Sequence, residues 1–306
     1  MNIRVGIIGM GVISKFYVEA LINKLKSPVL SAVCDLNVDR MKRFADMEIP
    51  CYVDYKELLL REDIDAVVIN VPNDKHYEIC RTALLAGKHV CCEKPMTLTL
   101  DEAEELVRVS RETGFTMFTA FHRRYNVHFV KALEKLSSVD EITAVHLHYL
   151  EKIEEHAGED KWYLQPERCG GGCIADNGPN AFDTLAFFLG HMTVQNVDIK
   201  RNEHGVDIEA HIELMTDSNI EVHVHLDWDY PNGEKKDVRI LLKDGREIYA
   251  DMLAGFNEFK SSLYHEYEQI LLDFKSKIEA GSCHGEDGLD AVRLVLDSYW
   301  LEKLTV

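Results

Sequence analysis

The amino-acid sequence predicts an α/β protein of two domains, and three observations carry that prediction. Apolar strand-like runs alternate with helix-spaced segments up to about residue 122, and long strands of alternating polarity take over beyond it. The third observation is size: 306 residues at 46% hydrophobic content suffice for two cores. The expected architecture is an N-terminal doubly wound parallel sheet over 1–122, then an α+β domain with a large, mainly antiparallel sheet over 123–306. No internal repeat, low-complexity tract or long linker is visible, so the two are expected to abut directly.

The elements follow in order. "RVGIIG" is an apolar strand, "GMG" a tight turn, and "SKFYVEALINKLK" a helix with Phe16, Ala20, Leu21 and Leu25 at helical spacing. "VLSAVCD" is a second strand ending on Asp35, and a helical stretch then leads to Tyr52 and Val53. "AVVINVP" is nearly continuous in apolar residues, as a buried parallel strand should be. "NDKHYEICRTALLAGK" is a helix stopped by Gly87, "HVCCEKP" a strand, and "DEAEELVRVSRETG" a helix with acidic first turn and Gly114 as its stop. "FTMFTAF" closes the series. After a helix around 126–137 come "TAVHLHYL", "VDIEAHIELM", "NIEVHVHLDWDY" and "DVRILLKDG", with two helices ending the chain. Val222, Val224, Leu226 and Trp228 alternate with Glu221, His223, His225 and Asp227, which predicts an antiparallel sheet with one buried face.

Composition excludes several function classes. A formal charge of −19 repels phosphate backbones and anionic lipid head groups, so nucleic acid is not an expected partner. No apolar run reaches the length of a membrane span and no charged leader precedes a long apolar stretch, so a cytoplasmic location is expected. The eight cysteines form no CxxC pair and are read as buried free thiols. Cys169 with Cys173, His146 with His148, and His223 with His225 are close enough to share a metal. A solvated or subunit-facing polar sheet face explains the histidine pairs better, and no metal is expected.

"GIIGMGVIS" places Gly9 and Gly11 in the first turn, between a strand and a helix, with Asp35 ending the next strand. That context is the dinucleotide-binding fingerprint of a Rossmann domain. Gly9 permits the tight turn, Gly11 lets the backbone approach a pyrophosphate, and the acidic residue accepts from ribose hydroxyls. A carboxylate at Asp35 repels a 2′-phosphate, so NAD is expected over NADP, although nearby Arg40 can soften the preference. Ligands of such sheets gather beyond the carboxyl ends of the strands, where "NVPNDKH" and "EKP" fall. Lys94, extended before Pro95, can hydrogen-bond a substrate hydroxyl and exchange protons, or simply pair with its glutamate neighbour.

Together these segments resemble the glucose-fructose oxidoreductase and inositol dehydrogenase family, Gfo/Idh/MocA. The resemblance runs through the glycine turn, "VPNDKH", "EKP", "HRRYN" at 122–126, "CGGGCIADNGPNAFD" at 169–183 and "EDGLDAVRLVLDSYW". It implies a Rossmann domain holding the nicotinamide cofactor and a second domain covering it to form the substrate cleft. The implied reaction is reversible hydride transfer at a hydroxyl-bearing carbon of a sugar, polyol or cyclitol. Cofactor contacts are implied for Gly9, Met10, Gly11, Val12, Ile13, Asp35, Val71, Pro72, Asn73, His76, Glu93 and Lys94. Substrate contacts are implied for His122, Arg124, Tyr163, Asp176 and Asn180. Assembly as a dimer or tetramer through the second domain's sheet is typical of proteins this chain looks like.

In that family's pattern Lys94 matches the catalytic lysine, Asp176 the substrate-orienting carboxylate and Asp183 a second acidic position, while three glycines fold the chain against the cofactor cleft. Pro179 and Gly190 bracket "PNAFDTLAFFL" as a helix, with Asp176 just before its start. One position departs: Asn180 stands where many members place a proton-accepting histidine, and an amide does not shuttle protons near neutral pH. Either Lys94 is the acid-base group or His76, His122, Tyr125 or Tyr163 substitutes. A catalytically silent nicotinamide-binding sugar sensor and a redox-neutral enzyme with tightly held NAD stay open as alternatives.

Overall fold

The computed structural model describes residues 2–155, 161–258 and 260–305. The chain divides into two compact units, 1–120 with 267–289, and 121–266 with 290–306. The first cut thus falls beside the expected boundary at 122, while a segment near the end of the chain returns to the first unit.

The first unit is built on strands β1 (Arg4–Ile8), β2 (Val29–Cys34), β3 (Cys51–Tyr52), β4 (Ala66–Ile69), β5 (His89–Glu93) and β6 (Met117–Ala120). All pair in parallel in the order β3-β2-β1-β4-β5-β6. The connecting helices are α1 (Ser14–Glu19), α2 (Lys42–Asp46), α3 (Tyr55–Leu59), α4 (His76–Leu85) and α5 (Leu100–Thr113). β4 is buried along its whole length, as an apolar strand covered on both faces must be. α5 starts where Thr99 accepts from the Glu102 N–H and ends at Gly114 with φ +75°. The helix expected over 14–26 is α1 followed by a π-helical turn over Ala20–Lys24, and the chain is extended by Leu25.

The second unit begins with α6 (Val127–Leu133), shorter than expected, then strand β7 (Ile142–Leu150) and helices α7 (Pro166–Cys169) and α8 (Cys173–Leu189). Strands β8 (Met192–Arg201), β9 (Asp207–Thr216), β10 (Glu221–Asp227), β11 (Lys235–Leu242) and β12 (Glu247–Asp251) follow. Their order is β12-β11-β7-β10-β9-β8, with every pairing antiparallel except β7 with β10. The sheet is mainly antiparallel, as expected, with one parallel pairing where β7 and β10, distant in sequence, meet side by side. The strands that sequence reading missed, β8 and β12, are the sheet's edges. Edge strands need no continuous apolar pattern, and β8 buries few of its residues.

Val222, Val224, Leu226 and Trp228 are all buried in the core under α8, at a typical gain of about 1.5–3 kcal/mol for a large apolar side chain. Trp228 is thus a packing residue. The closing helices are α9 (Leu263–Ala280) and α10 (Glu286–Thr305). All eight cysteines are free; Cys51 is exposed and Cys283 half-buried, against the expectation that all are buried.

Candidate functional site

The first unit's strand order reverses between β1 and β4, and the expected cofactor residues stand at the carboxyl ends of those strands. Gly9 has φ +92°, and a Cβ there would lie 2.6 Å from the Asn70 carbonyl oxygen, so only glycine fits. Gly11 faces open space, where a Cβ would meet nothing within 4 Å. Met10 is buried, Val12 is half exposed, and the turn from Ile13 into α1 has no side-chain cap. Asp35 is buried, its carboxylate accepting from the Met10 N–H at 2.6 Å and the Asn37 N–H at 2.7 Å, with the Arg40 guanidinium at 3.6 Å. Two backbone donors leave this carboxylate lone pairs for ribose hydroxyls. Asn70, just past β4, has both amide atoms shielded from water and without a hydrogen-bond partner. An open glycine turn, an oriented carboxylate and an orphaned amide at the switch point fit a dinucleotide.

Val71, Pro72 and Asn73 lead from β4 into α4, with Asn73 buried. His76 is fully buried, with Nδ1 2.7 Å from the Pro95 carbonyl oxygen and Nε2 2.9 Å from that of Val71. Both ring nitrogens thus face backbone carbonyls, and burial lowers the ring's proton affinity against the opposing pull of those two acceptors. His76 clamps the "VPN" turn to the segment carrying Lys94 instead of presenting a ring nitrogen to a ligand. Lys94 itself is half-buried at the end of β5. Its neighbour Glu93 accepts from the Tyr17 hydroxyl at 2.8 Å. Burial raises the Glu93 carboxyl to about 7, against the pull of Tyr17 and Lys94.

In the second unit the polar residues collect along α8. This helix starts at Cys173, not Pro179, so Asp176 lies in its first turn and Pro179 inside it. The start is set by a distant carboxylate: Asp207 of β9 accepts from the Gly172 N–H at 2.8 Å and the Ile174 N–H at 2.9 Å. The Tyr299 hydroxyl donates to the same carboxylate at 3.0 Å. A Cβ on Gly171 would lie 2.3 Å from that hydroxyl, and one on Gly172 2.0 Å from the Asp207 carbonyl oxygen. The glycines expected to bring the chain against a cofactor therefore bring it against Asp207 and Tyr299.

Asp176 and Asn180 are four apart on α8, hence on one face, and both are buried. Asn180 Nδ2 lies 3.2 Å from His122 Nε2, and His122 Nδ1 lies 2.5 Å from Glu266 Oε2. Glu266 also faces Arg123 Nη1 at 3.1 Å and Asn126 Nδ2 at 2.7 Å. Burial alone would raise this carboxyl, but Arg123 and His122 hold it down at about 2. Ionised Glu266 accepts from His122 Nδ1, and the Asn180 amide nitrogen faces the ring's other nitrogen. That fixes the amide with Oδ1 turned the other way, and Asn180 Oδ1 is buried without a partner.

Arg124, expected on the substrate, is instead paired bidentately with Asp183: Nε donates to Oδ2 at 2.9 Å and Nη2 to Oδ1. Tyr163 is half-buried and stacked on Trp162 with ring centroids 3.8 Å apart. The loop over 154–167, a sequence candidate for setting substrate identity, includes 156–160, which lie outside the described residues. Sequence reading missed Glu266, although Leu263, Glu266, Tyr267 and Ile270 form one buried helical stripe. A glutamate in an apolar stripe was the available signal.

Residues 3–121 match the family model described as oxidoreductase family, NAD-binding Rossmann fold, and 129–246 match the GFO/IDH/MocA C-terminal domain. The uncharacterized oxidoreductase YrbE of Bacillus subtilis is 32% identical over 62% of this chain and 54% of its own length. Myo-inositol 2-dehydrogenase of Thermotoga maritima is 28% identical over 61% and 55%. The chain thus spans about half the length of these curated relatives. Among solved structures, GenD2 from gentamicin A biosynthesis in complex with NAD has a TM-score of 0.87 at 17% identity, over 100% of this chain and 95% of that one. A variant of KijD10, a 3-ketoreductase from Actinomadura kijaniata in complex with TDP-benzene and NADP, has a TM-score of 0.77 at 22% identity, over 98% of each chain. Among the described residues no helix is long and apolar enough to cross a membrane. With both of its domain models matched in order along this sequence, the chain belongs to the Gfo/Idh/MocA oxidoreductase family.

Proposed function

We propose that the chain is an NAD-dependent oxidoreductase acting on a hydroxyl-bearing carbon of a sugar, polyol or cyclitol. The observation that carries this reading is the orientation of Asn180. Its amide nitrogen is taken by His122, so its free face is an acceptor, suited to a substrate hydroxyl and unable to remove that hydroxyl's proton. Acid-base work then falls to Lys94, which His76 steadies through the Pro95 carbonyl. In the oxidative direction the Lys94 amine takes the hydroxyl proton, and in the reverse direction its ammonium returns it. The bound nicotinamide supplies the hydride acceptor or donor. Asp176 accepts from a further hydroxyl, while His122 and Glu266 act as positioning residues for Asn180.

The relative named as a myo-inositol 2-dehydrogenase supports a polyol substrate. Asp35, with Arg40 already beside it, supports NAD over NADP, since a 2′-phosphate would meet a buried carboxylate. Assembly as a dimer or tetramer through the outer face of the second sheet belongs to the same reading.

The test is a panel of inositols, polyols and sugars with NAD, followed by absorbance of the reduced cofactor. Lys94→Met should lower kcat by about 10²–10⁴-fold while calorimetric NAD affinity stays unchanged. Retained turnover in this variant would remove Lys94 from the acid-base role. A wild-type chain that binds NAD and sugar together without turnover would favour the silent sensor.

A further inference from the structure

The outer face of the second sheet gathers three side chains that play no part in the chemistry above: Glu209 and His211 of β9, and His225 of β10. Residues two apart in a strand share a face, and the antiparallel register sets His225 opposite His211, with Glu209 on the adjacent diagonal. Glu209 Oε1 lies 3.2 Å from His225 Nε2 and 3.5 Å from His211 Nε2. The two imidazoles stack with centroids 4.0 Å apart and planes 22° apart, and the three donor atoms all lie within 4.8 Å of one another.

We propose that Glu209, His211 and His225 form a binding site for a divalent transition metal of the zinc class. A tetrahedral ion bound at about 2.0–2.2 Å to nitrogen and oxygen separates its ligands by about 3.3–3.6 Å. Both glutamate-histidine separations already approximate that edge, and His211 is exposed enough to swing the third into place. Two imidazoles with one carboxylate suit zinc, cobalt, nickel or copper, whereas magnesium and calcium take oxygen ligands. Three protein ligands leave a fourth position for water.

The surroundings orient the set. Lys200 Nζ lies 3.4 Å from Glu209 Oε2, which leaves Oε1 to the ion. His148 sits edge-on to His225 at 5.9 Å between centroids, and its Nδ1 is 2.7 Å from Asp237 Oδ1. Such outer contacts hold a ligand ring in place. The competing account is an ordinary surface ion-pair cluster with the carboxylate shared by two imidazoliums. It predicts no metal affinity. The proposal is independent of the hydride-transfer chemistry, since it uses neither Lys94 nor the cofactor, but it shares the outer sheet face with the proposed assembly.

The experiment is calorimetric titration of the chelator-treated full chain with zinc, without NAD. One zinc per chain should bind, His211→Gln and His225→Gln should each weaken binding at least tenfold, and Cys51→Ser, which removes the exposed thiol, should leave it unchanged. Cobalt substitution of the wild-type chain needs no variant and should give the intense visible absorption of a four-coordinate ion. Absence of zinc binding, undiminished binding in both histidine variants, or the weak spectrum of a six-coordinate cobalt would each overturn the proposal.

Discussion

Each of the two units buries a glutamate, and their surroundings drive the two carboxyls in opposite directions. Glu93 of the first unit meets a phenol and is raised to about 7 by burial. Glu266 of the second is no less buried, yet Arg123 and His122 bring it to about 2. Desolvation acts on both; a buried guanidinium faces only one. Burial sets the penalty for a charge, and the partner's charge decides whether the penalty is accepted.

The largest expected effect comes from removing the charge that Arg123 needs. Glu266→Gln should cost about 3–5 kcal/mol, because it leaves a buried guanidinium uncompensated. Urea unfolding would then show a lower midpoint at unchanged slope, and a midpoint within error of wild type would mean that Arg123 has another counterion.

The pH dependence sharpens the comparison. The folded carboxyl of Glu93 is raised, so its contribution is complete below the ordinary value of 4.5 and is lost as pH rises through about 7. Glu266 is lowered, so its contribution is complete above 4.5 and is lost as pH falls through about 2. Each spans on the order of 3 kcal/mol. Glu93→Gln should therefore gain stability relative to wild type between pH 4.5 and 7, as read by urea unfolding at fixed ionic strength. A difference that does not vary with pH across that window would show that Glu93 titrates normally.

The smallest effect is Tyr17→Phe. Loss of one hydrogen bond to Glu93 should cost about 1 kcal/mol and move the Glu93 inflection upward, since the phenol favours the carboxylate. A downward shift of the inflection would contradict the assigned donor.

How much of this was legible depended on how local its causes were. The Gly9 turn, the Asp35 strand end and α5 with its acidic first turn and Gly114 stop are written in short stretches, and the structure places them as expected. The beginning of α8 was misplaced because its cap is Asp207, supplied from β9 some thirty residues on. Arg124 looked available for substrate because its partner Asp183 lies on a different element. The metal-type trio escaped for the same reason: His223 and His225 invited comparison as neighbours in sequence, whereas His225 meets His211 across a strand pairing. Lys94 and Asp176 were named from motif alone, and their roles rest on the proposed reaction.

The capping of α8 has a consequence for anyone moving this helix elsewhere. A graft of residues 169–183 into another scaffold would carry the glycines and both polar residues but leave behind Asp207 and Tyr299. Without them nothing specifies the first turn, and Asp176 loses its setting. The transplantable module is the segment plus those two remote anchors.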